Sequence, residues 1–164
     1  MSQAQPLPKS SQSIQDILHS ASLPCAILTF PAGTKTAIDP ATAIGCNVGQ
    51  IVKSLIFKTK TTHRSVLALT SGANRVNEKT LAFHIGEEIV KADADFTRTV
   101  TGFAIGGIPP IGHQNSIDFI FIDEDLLVYE SVWAAAGTPH TVFELQTKAL
   151  VHLTRGTIIQ LAIL

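Results

Sequence analysis

The chain has 164 residues, of which 45% are hydrophobic, and its formal net charge at pH 7 is −1. This length and composition predict one folded domain, here residues 10–164 behind a polar tail at 1–9, and exclude a disordered chain. The sequence also contains no run of roughly 20 apolar residues, as a membrane span needs, and no apolar stretch typical of a secretion signal. The weak net charge predicts that any nucleic acid is contacted over a short stretch only.

The first half of the chain mixes helical and extended patterns. Ser13 and Asp16 resemble an N-terminal capping box, and Asp39 with Pro40 is typical of a helix start. The predicted elements of this half are a helix over 10–23, a strand over 25–30, a helix over 39–45, a central strand over 51–60, its neighbour over 66–70, and helices over 77–86 and 93–100.

The second half begins with a Gly/Pro-rich segment at 102–112. We interpret the acidic residues 123–125 as a solvated hairpin turn, and Thr147 as the cap of the last helix. The predicted strands of this half are 117–122, 126–133 and 141–145. Because strands and helices do not alternate regularly, the sequence predicts an α+β fold.

The residues that build common cofactor and metal sites are not grouped in this chain. Cys25 and Cys46 are the only cysteines, and they do not form a C-x-x-C pair. Unpaired thiols in a chain without a secretion signal are typical of the cytoplasm, where we expect this protein. No spacing matches a metal site and no G-x-S-x-G motif is present, so we expect no metal, no cofactor and no serine nucleophile.

Lys53 is the first candidate for a functional side chain. Residues two apart on a strand share a face, so Lys53 lies with Ile51, Leu55 and Phe57. An ammonium on an apolar face needs an anion or several acceptors, and burial there lowers its pKa. The alternative is an edge lysine whose ammonium extends into water. The spacing alone does not choose between them.

Residues 106–113, with the sequence GGIPPIGH, are the second candidate. Glycines permit close approach of the backbone and prolines stiffen it, so such a loop can present N–H groups to a carbonyl or an oxyanion. The loop is neither a dinucleotide-binding motif nor a P-loop. The alternative is a tight connector without a ligand.

His113 and His140 each follow a turn. A histidine at such a position can bind a ribose hydroxyl or position a water, and the alternative is a purely structural role.

Three segments, 51–58 (IVKSLIFK), 101–113 (TGFAIGGIPPIGH) and 133–140 (WAAAGTPH), resemble in order and spacing the YbaK/prolyl-tRNA-synthetase-associated domain family of aminoacyl-tRNA deacylases. The resemblance covers nearly the whole chain. It implies a mixed, strongly curved, barrel-like sheet flanked by helices. Freestanding, ProX-like members act in trans on mischarged tRNA, especially tRNA(Pro). The expected partners are therefore the 3′ CCA end of aminoacyl-tRNA and prolyl-tRNA synthetase, and neither DNA nor a membrane.

The same resemblance implies roles for individual residues. Lys53 matches the essential lysine of the family and would anchor the terminal phosphate or orient the ester carbonyl. N–H groups of Gly106 and Gly107 would hold the carbonyl oxygen, and attack would be assisted by a ribose hydroxyl or a thiol of the substrate. The implied substrate-binding positions are Phe30, Ser54, Ile108, Pro110, Gly112, His113, Gly137 and His140.

Departures from the family pattern leave the amino acid open. Phe30 replaces the tyrosine of cysteine-clearing relatives, and Ser54 replaces the asparagine of alanine-clearing relatives. The turn at 137–140 lacks the charged residues of the cysteine-specific branch. We therefore expect editing of a small amino acid. The rival hypotheses are a binding module for an aminoacyl-adenylate, an amino acid or a synthetase, and a structural partner in which a Gly107 variant alters stability alone.

Overall fold

The structure, a computed structural model, describes residues 7–23, 26–30 and 40–164. No helix in these ranges is long and apolar enough to span a membrane. The helices are α1 (Lys9–Ser20), α2 (Pro40–Ile44), α3 (Glu78–Ile85), α4 (Ala94–Thr101) and α5 (Thr147–Thr154), with 3₁₀ helices at Val48–Gln50 and Glu124–Val128. The strands are β1 (Ile27–Thr29), β2 (Ile51–Thr59), β3 (Ser65–Ser71), β4 (Ile89–Lys91), β5 (Phe119–Asp123), β6 (Ser131–Ala135), β7 (Thr141–Gln146) and β8 (Thr157–Ile159).

The strands of the described ranges form one mixed sheet in the order β1-β7-β6-β2-β3-β5-β8, and β4 also pairs with β2. The pairs β2–β6, β3–β5 and β5–β8 are parallel, and the others are antiparallel. The prediction of an α+β fold with a mixed sheet and flanking helices is confirmed. Within the part of the chain that the structure describes, no strand pair joins β1 to β8, so closure into a barrel stays a prediction.

Alternate residues of the central strands supply two hydrophobic cores. On β2, Val52 and Ile56 belong to the larger core, which also contains Ile14 of α1 and Leu150 of α5. Phe57 points the other way, into a smaller core that includes side chains from α3, β5 and the C-terminal segment. Because β2 is covered on both faces and paired on both edges, its predicted central position is confirmed.

The edge of β2 that faces β6 is only partly paired. Register with β6 ends at Val52 opposite Ala134, and register with β4 begins at Phe57 opposite Lys91. Between these two points, no described strand pairs with residues 53–55 on this edge. The sheet therefore splits beside Lys53.

The ends of two helices follow the capping signals in the sequence. The Asn77 side chain accepts hydrogen bonds from two N–H groups of the first turn of α3, and Gly86 ends that helix in the left-handed region at φ 85°. The Asp93 carboxylate caps α4 by accepting a bond from the N–H of Phe96. Both predicted helices are confirmed to within a residue or two.

The first helix is confirmed, but its predicted cap is wrong. Helix α1 begins at Lys9, one residue before the predicted start, and Pro8 precedes it without a side-chain cap. Ser13 lies inside the helix, where its hydroxyl donates to the carbonyl of Ser10 at 2.7 Å. The capping box with Asp16 is therefore wrong. Two other predicted boundaries, at Cys25 and Asp39, lie outside the described residues.

The acidic segment after β5 was also predicted wrongly. Residues 124–128 form a 3₁₀ helix, and β6 does not begin until Ser131, so the predicted strand 126–133 is wrong in its first five residues. Asp123 is fully buried rather than solvated. Its carboxylate caps the 3₁₀ helix by accepting from the N–H of Asp125, which explains why the chain turns here instead of forming a hairpin.

Two short strands and one helix cap also differ from the prediction. β4 and β8 each have three residues, and neither was predicted because so short a run shows no clear alternation. Thr147 is the first residue of α5 rather than its cap. Its hydroxyl donates to the carbonyl of Tyr129 at 2.7 Å and so ties the helix to the segment before β6.

Candidate active site

A cavity of about 300 Å³ lies where β6 leaves β2. Its lining is mostly apolar and comes from β2, β6, β7, the Gly-Pro loop and α2. The lining residues are Pro40, Ile51, Val52, Lys53, Ser54, Leu55, Ile105, Gly106, Ile108, Trp133, Ala134, Ala135, Pro139, Thr141 and Val142. The structure thus brings together four of the predicted site residues: Lys53, Ser54, Gly106 and Ile108.

Lys53 is half-buried at this cavity. Its ammonium donates a 2.7 Å hydrogen bond to the backbone carbonyl of Asn74. Burial lowers the Lys53 pKa, the negative charge of Asp123 opposes that shift, and the positive charge of Arg75 adds to it. Of the two alternatives that the sequence left open, the structure shows an ammonium held by a protein acceptor.

Ser54 lies on the opposite face of β2, between Val52 and Ile56 of the larger core. Its hydroxyl oxygen is buried and has no hydrogen-bond partner among the described residues. Most buried hydroxyls in proteins have one. A buried hydroxyl without a partner contributes no hydrogen bond to stability, so its removal should cost the fold little.

The backbone of Ser54 also faces the split in the sheet. The carbonyl of Ile51 accepts from Gly72 on the β3 side, whereas the carbonyl of Ile56 accepts from Ala92 on the opposite side. Backbone groups alternate in direction along a strand, so those of Ser54 point the same way as those of Ile56. No described strand pairs with them there.

Gly106 and Ile108 carry the part of the Gly-Pro loop that lines the cavity. Gly106 has φ 98°, a conformation that favours glycine. Among the hydrogen bonds of the described residues, none is donated by the N–H of Gly106 or of Ile108. Among the described residues, these two N–H groups therefore have no backbone acceptor.

Gly107 is buried and packs against the turn that precedes β7. A Cβ atom at Gly107 would lie 2.7 Å from the Cα of Thr138, so only glycine allows this approach. The Gly107 N–H donates to the carbonyl of Ala104 at 3.1 Å. The geometry gives Gly107 a packing role, and the oxyanion role predicted for it would require that bond to break.

The end of the Gly-Pro loop lies behind the cavity wall. Pro110 is buried, and a Cβ atom at Gly112 would lie 2.8 Å from the Ile14 side chain of α1. Nε2 of His113 donates to the carbonyl of Pro109 at 2.7 Å. Burial lowers the His113 pKa, which favours the neutral ring. None of these three predicted residues lines the cavity, and their contacts stabilise the loop.

The remaining predicted residues surround the turn before β7. The N–H of Phe30 donates to the carbonyl of His140 at 2.7 Å, and His140 is exposed. A Cβ atom at Gly137 would lie 3.0 Å from the backbone of Ser10, so the start of α1 packs on this turn. None of the three lines the cavity, although their neighbours Pro139 and Thr141 do.

Most of the lining residues were not predicted individually, although they lie within the sequence segments 51–58, 101–113 and 133–140. Thr141, just beyond the last segment, is the clearest omission, because its hydroxyl joins those of Ser11 and Thr138 under the turn. In residues 7–23, 26–30 and 40–164, no three His, Cys, Asp or Glu side chains form a group that could hold a metal ion.

The chain is similar in sequence to known proteins. A family model described as the aminoacyl-tRNA editing domain matches residues 31–153. The uncharacterized protein YwhH of Bacillus subtilis is 24% identical over 124 residues, which cover 76% of this chain and 78% of YwhH. A proline–tRNA ligase of Limosilactobacillus fermentum is 29% identical over 92 residues, which cover 54% of this chain and 16% of the ligase.

Solved structures share the whole fold. The crystal structure of a proposed trans-editing enzyme for prolyl-tRNA synthetase has a TM-score of 0.88 and 38% identity, and the match covers 96% of this chain and 99% of that one. Hypothetical protein APE2540, at 22% identity and a TM-score of 0.82, covers 92% of this chain and shares the fold. Together with the family model, which matches most of the chain, these similarities show that the chain belongs to the aminoacyl-tRNA editing domain family.

Proposed function

We propose that this protein is a trans-editing deacylase that hydrolyses the ester between a small, wrongly attached amino acid and the 3′ CCA end of a tRNA, in the first place tRNA(Pro). The family supports editing. The similarity to a proposed trans-editing enzyme for prolyl-tRNA synthetase and to a proline–tRNA ligase supports tRNA(Pro) as substrate and the synthetase as partner. Such a reaction belongs in the cytoplasm, where charged tRNA is used.

One observation carries the catalytic part of the proposal. Lys53 and Gly106, far apart in sequence, line the same small cavity beside a strand edge with which no described strand pairs. In our proposal the Lys53 side chain supplies the positive charge and the Gly106 N–H supplies the donor that stabilise an ester undergoing hydrolysis.

The chemistry follows from the activated substrate. Water adds to the ester carbonyl, the tetrahedral intermediate collapses, and the amino acid leaves while the ribose hydroxyl is restored. In our proposal the N–H of Gly106 binds the carbonyl oxygen, and Lys53 binds the terminal phosphate or the same carbonyl. Attack is assisted by a hydroxyl of the terminal ribose or by a substrate thiol. Positioning and charge stabilisation then suffice without a protein nucleophile.

The size of the cavity favours a small amino acid. Its volume of about 300 Å³ is at the lower end of the range for small-molecule sites, and its walls are mostly apolar. A large side chain would have to displace Trp133 or the loop at 105–108, both of which form the wall. The choice among small amino acids depends on contacts that Ser54 and its neighbours make with the substrate.

The decisive experiment is single-turnover deacylation by Lys53→Ala, with Lys58→Ala as the matched control. Lys58 lies on the same strand, with its ammonium 5.4 Å from the centre of the Phe96 ring, and it does not line the cavity. We expect Lys53→Ala to lose at least about 100-fold in rate while it stays folded, because a charge at the reacting ester is removed. Lys58→Ala should retain the wild-type rate. Full activity of the Lys53 variant would contradict the proposal.

The substrate is identified by a panel of tRNA(Pro) charged separately with Pro, Ala, Cys, Ser and 2-aminobutyrate. We expect release of at least one small amino acid other than proline. Saturable binding of charged tRNA or of an aminoacyl-adenylate analogue, without release from any member of the panel, would instead support the rival hypothesis of a binding module.

A further inference from the structure

A buried carboxylate lies behind the carbonyl that holds Lys53. Asp123, the last residue of β5, is fully buried, although the sequence places it in an acidic run. A carboxylate removed from water is costly unless hydrogen bonds and a nearby positive charge compensate it. The residues that provide this compensation lead directly to Lys53.

The Asp123 carboxylate fixes the turn at 71–74 from both ends. One oxygen, Oδ2, accepts from the Ser71 N–H at 3.1 Å and from the Asn74 side-chain amide at 2.9 Å. The other oxygen accepts from the Asp125 N–H at 3.0 Å. The Asn74 amide also donates to the Asp125 carboxylate at 2.7 Å, so both of its hydrogens are used. The backbone of Asn74 is thereby held in place.

That backbone carries the acceptor for Lys53. The carbonyl of Asn74 accepts the Lys53 ammonium at 2.7 Å. We propose that Asp123 is a positioning residue: through Asn74 it fixes the carbonyl that holds the Lys53 ammonium, and so determines where that cation lies in the cavity wall. The inference rests on the proposed function of Lys53 in deacylation and adds a residue that does not touch the substrate.

The charges around Lys53 agree with this arrangement. Burial lowers the Lys53 pKa, and Arg75 lowers it further, whereas Asp123 raises it. Asp123 therefore supports the charged form of the lysine as well as its position. Removal of the carboxylate charge should lower the Lys53 pKa below that of the wild type.

The test compares Asp123→Asn and Asn74→Ala with Ser71→Ala. The Asp123 variant removes the charge, and the Asn74 variant removes the link between carboxylate and carbonyl. Ser71→Ala loses a buried hydrogen bond to the carbonyl of Gly49 in the same region but leaves the backbone contacts of the link intact. It therefore controls for a loss of stability alone.

We expect Asp123→Asn and Asn74→Ala to lower kcat for charged tRNA by about 10-fold or more with a smaller change in KM, since a displaced cation affects the transition state more than binding. Ser71→Ala should keep the wild-type kcat despite a lower melting temperature. Should Asp123→Asn fail to fold, Asn74→Ala still decides, because Asn74 is only half-buried and its substitution leaves the Asp123 carboxylate bonded to the N–H groups of Ser71 and Asp125. Wild-type kcat in both variants would overturn the inference.

A second measurement does not depend on activity. The Lys53 side chain is followed by NMR in protein labelled with ¹³C at lysine Cε and assigned with Lys53→Arg. Its titration should move to lower pH in Asp123→Asn and stay unchanged in Ser71→Ala. An unchanged titration in Asp123→Asn would contradict the link. Activity that survives Lys53→Ala would contradict the proposed function instead, so the two failures are distinguishable.

Discussion

Ser54 and Ser71 lie on neighbouring strands and differ in how their hydroxyls are bonded. The Ser71 hydroxyl donates to the carbonyl of Gly49 at 2.8 Å. The Ser54 hydroxyl is buried at the cavity and has no partner among the described residues. Since the cost of losing a hydroxyl depends on the bond it makes, the two serines should respond differently to the same change.

We predict that Ser71→Ala lowers the free energy of unfolding by about 1 kcal/mol, whereas Ser54→Ala leaves it unchanged or raises it. Chemical unfolding of both variants measures the difference. In the deacylation assay, Ser54→Ala should change the relative rates among differently charged tRNAs, because Ser54 lines the cavity and its substitution alters the packing of the wall. A stability loss equal to that of Ser71→Ala would show that Ser54 is bonded in the folded protein.

At the scale of elements, the turn between β2 and β3 is held by one carboxylate from outside the hairpin. Glu87 accepts from the N–H groups of Thr61 and Thr62 at 2.7 and 2.8 Å, from the Thr62 hydroxyl at 2.7 Å, and from Arg64 at 3.2 Å. These hydrogen bonds lower the Glu87 pKa from 4.5 to about 2, and the bond from the Thr62 side chain is the largest cause, followed by that from the Thr62 backbone.

This shift predicts a pH dependence of stability. The folded-state pKa lies below the unfolded value, so Glu87 stabilises the fold above pH 4.5, and that contribution is lost as the pH falls toward 2. We expect Glu87→Gln to melt at a lower temperature than the wild type at pH 7 and the two curves to converge near pH 2. Melting temperatures measured across this range test it.

The control for this prediction is Glu88→Gln. Glu88 pairs with Lys60 at 3.3 Å, but both side chains are largely exposed. Exposed pairs contribute little to stability, so this variant should follow the wild-type curve. Parallel curves for Glu87→Gln and the wild type from pH 2 to 7 would show that Glu87 does not hold the turn.

At the scale of the whole molecule, the charge balance limits how the protein grips tRNA. The chain has 12 Lys and Arg residues against 13 Asp and Glu residues. Contact with the single-stranded CCA end alone neutralises one to three phosphates, which predicts a slope of about −1 to −2 for the logarithm of affinity against the logarithm of salt concentration. KM measured for charged tRNA between low and high salt gives this slope. A value steeper than about −4 would indicate contacts along the tRNA body.

The sequence by itself determined the features that depend on neighbouring residues. The caps at Asn77 and Asp93, the stop at Gly86, and the apolar run of β2 are local signals, because capping and periodicity involve residues within a few positions of each other. The sequence motifs also indicated Lys53 and Gly106, which line the cavity. At residue 13 the local signal failed, because a helix that starts at Lys9 includes Ser13 in its interior.

Only the tertiary structure decided how distant residues meet. It placed Gly107 against Thr138 and turned His113 back onto its own loop. These two residues therefore support the loop from behind and do not line the cavity. It also buried Asp123, which no local pattern distinguishes from its solvated neighbours. The physical reason is that burial depends on which strands pair and where their donors converge. The N–H of Ser71 and the amide of Asn74 reach this carboxylate only once β3 and β5 lie side by side.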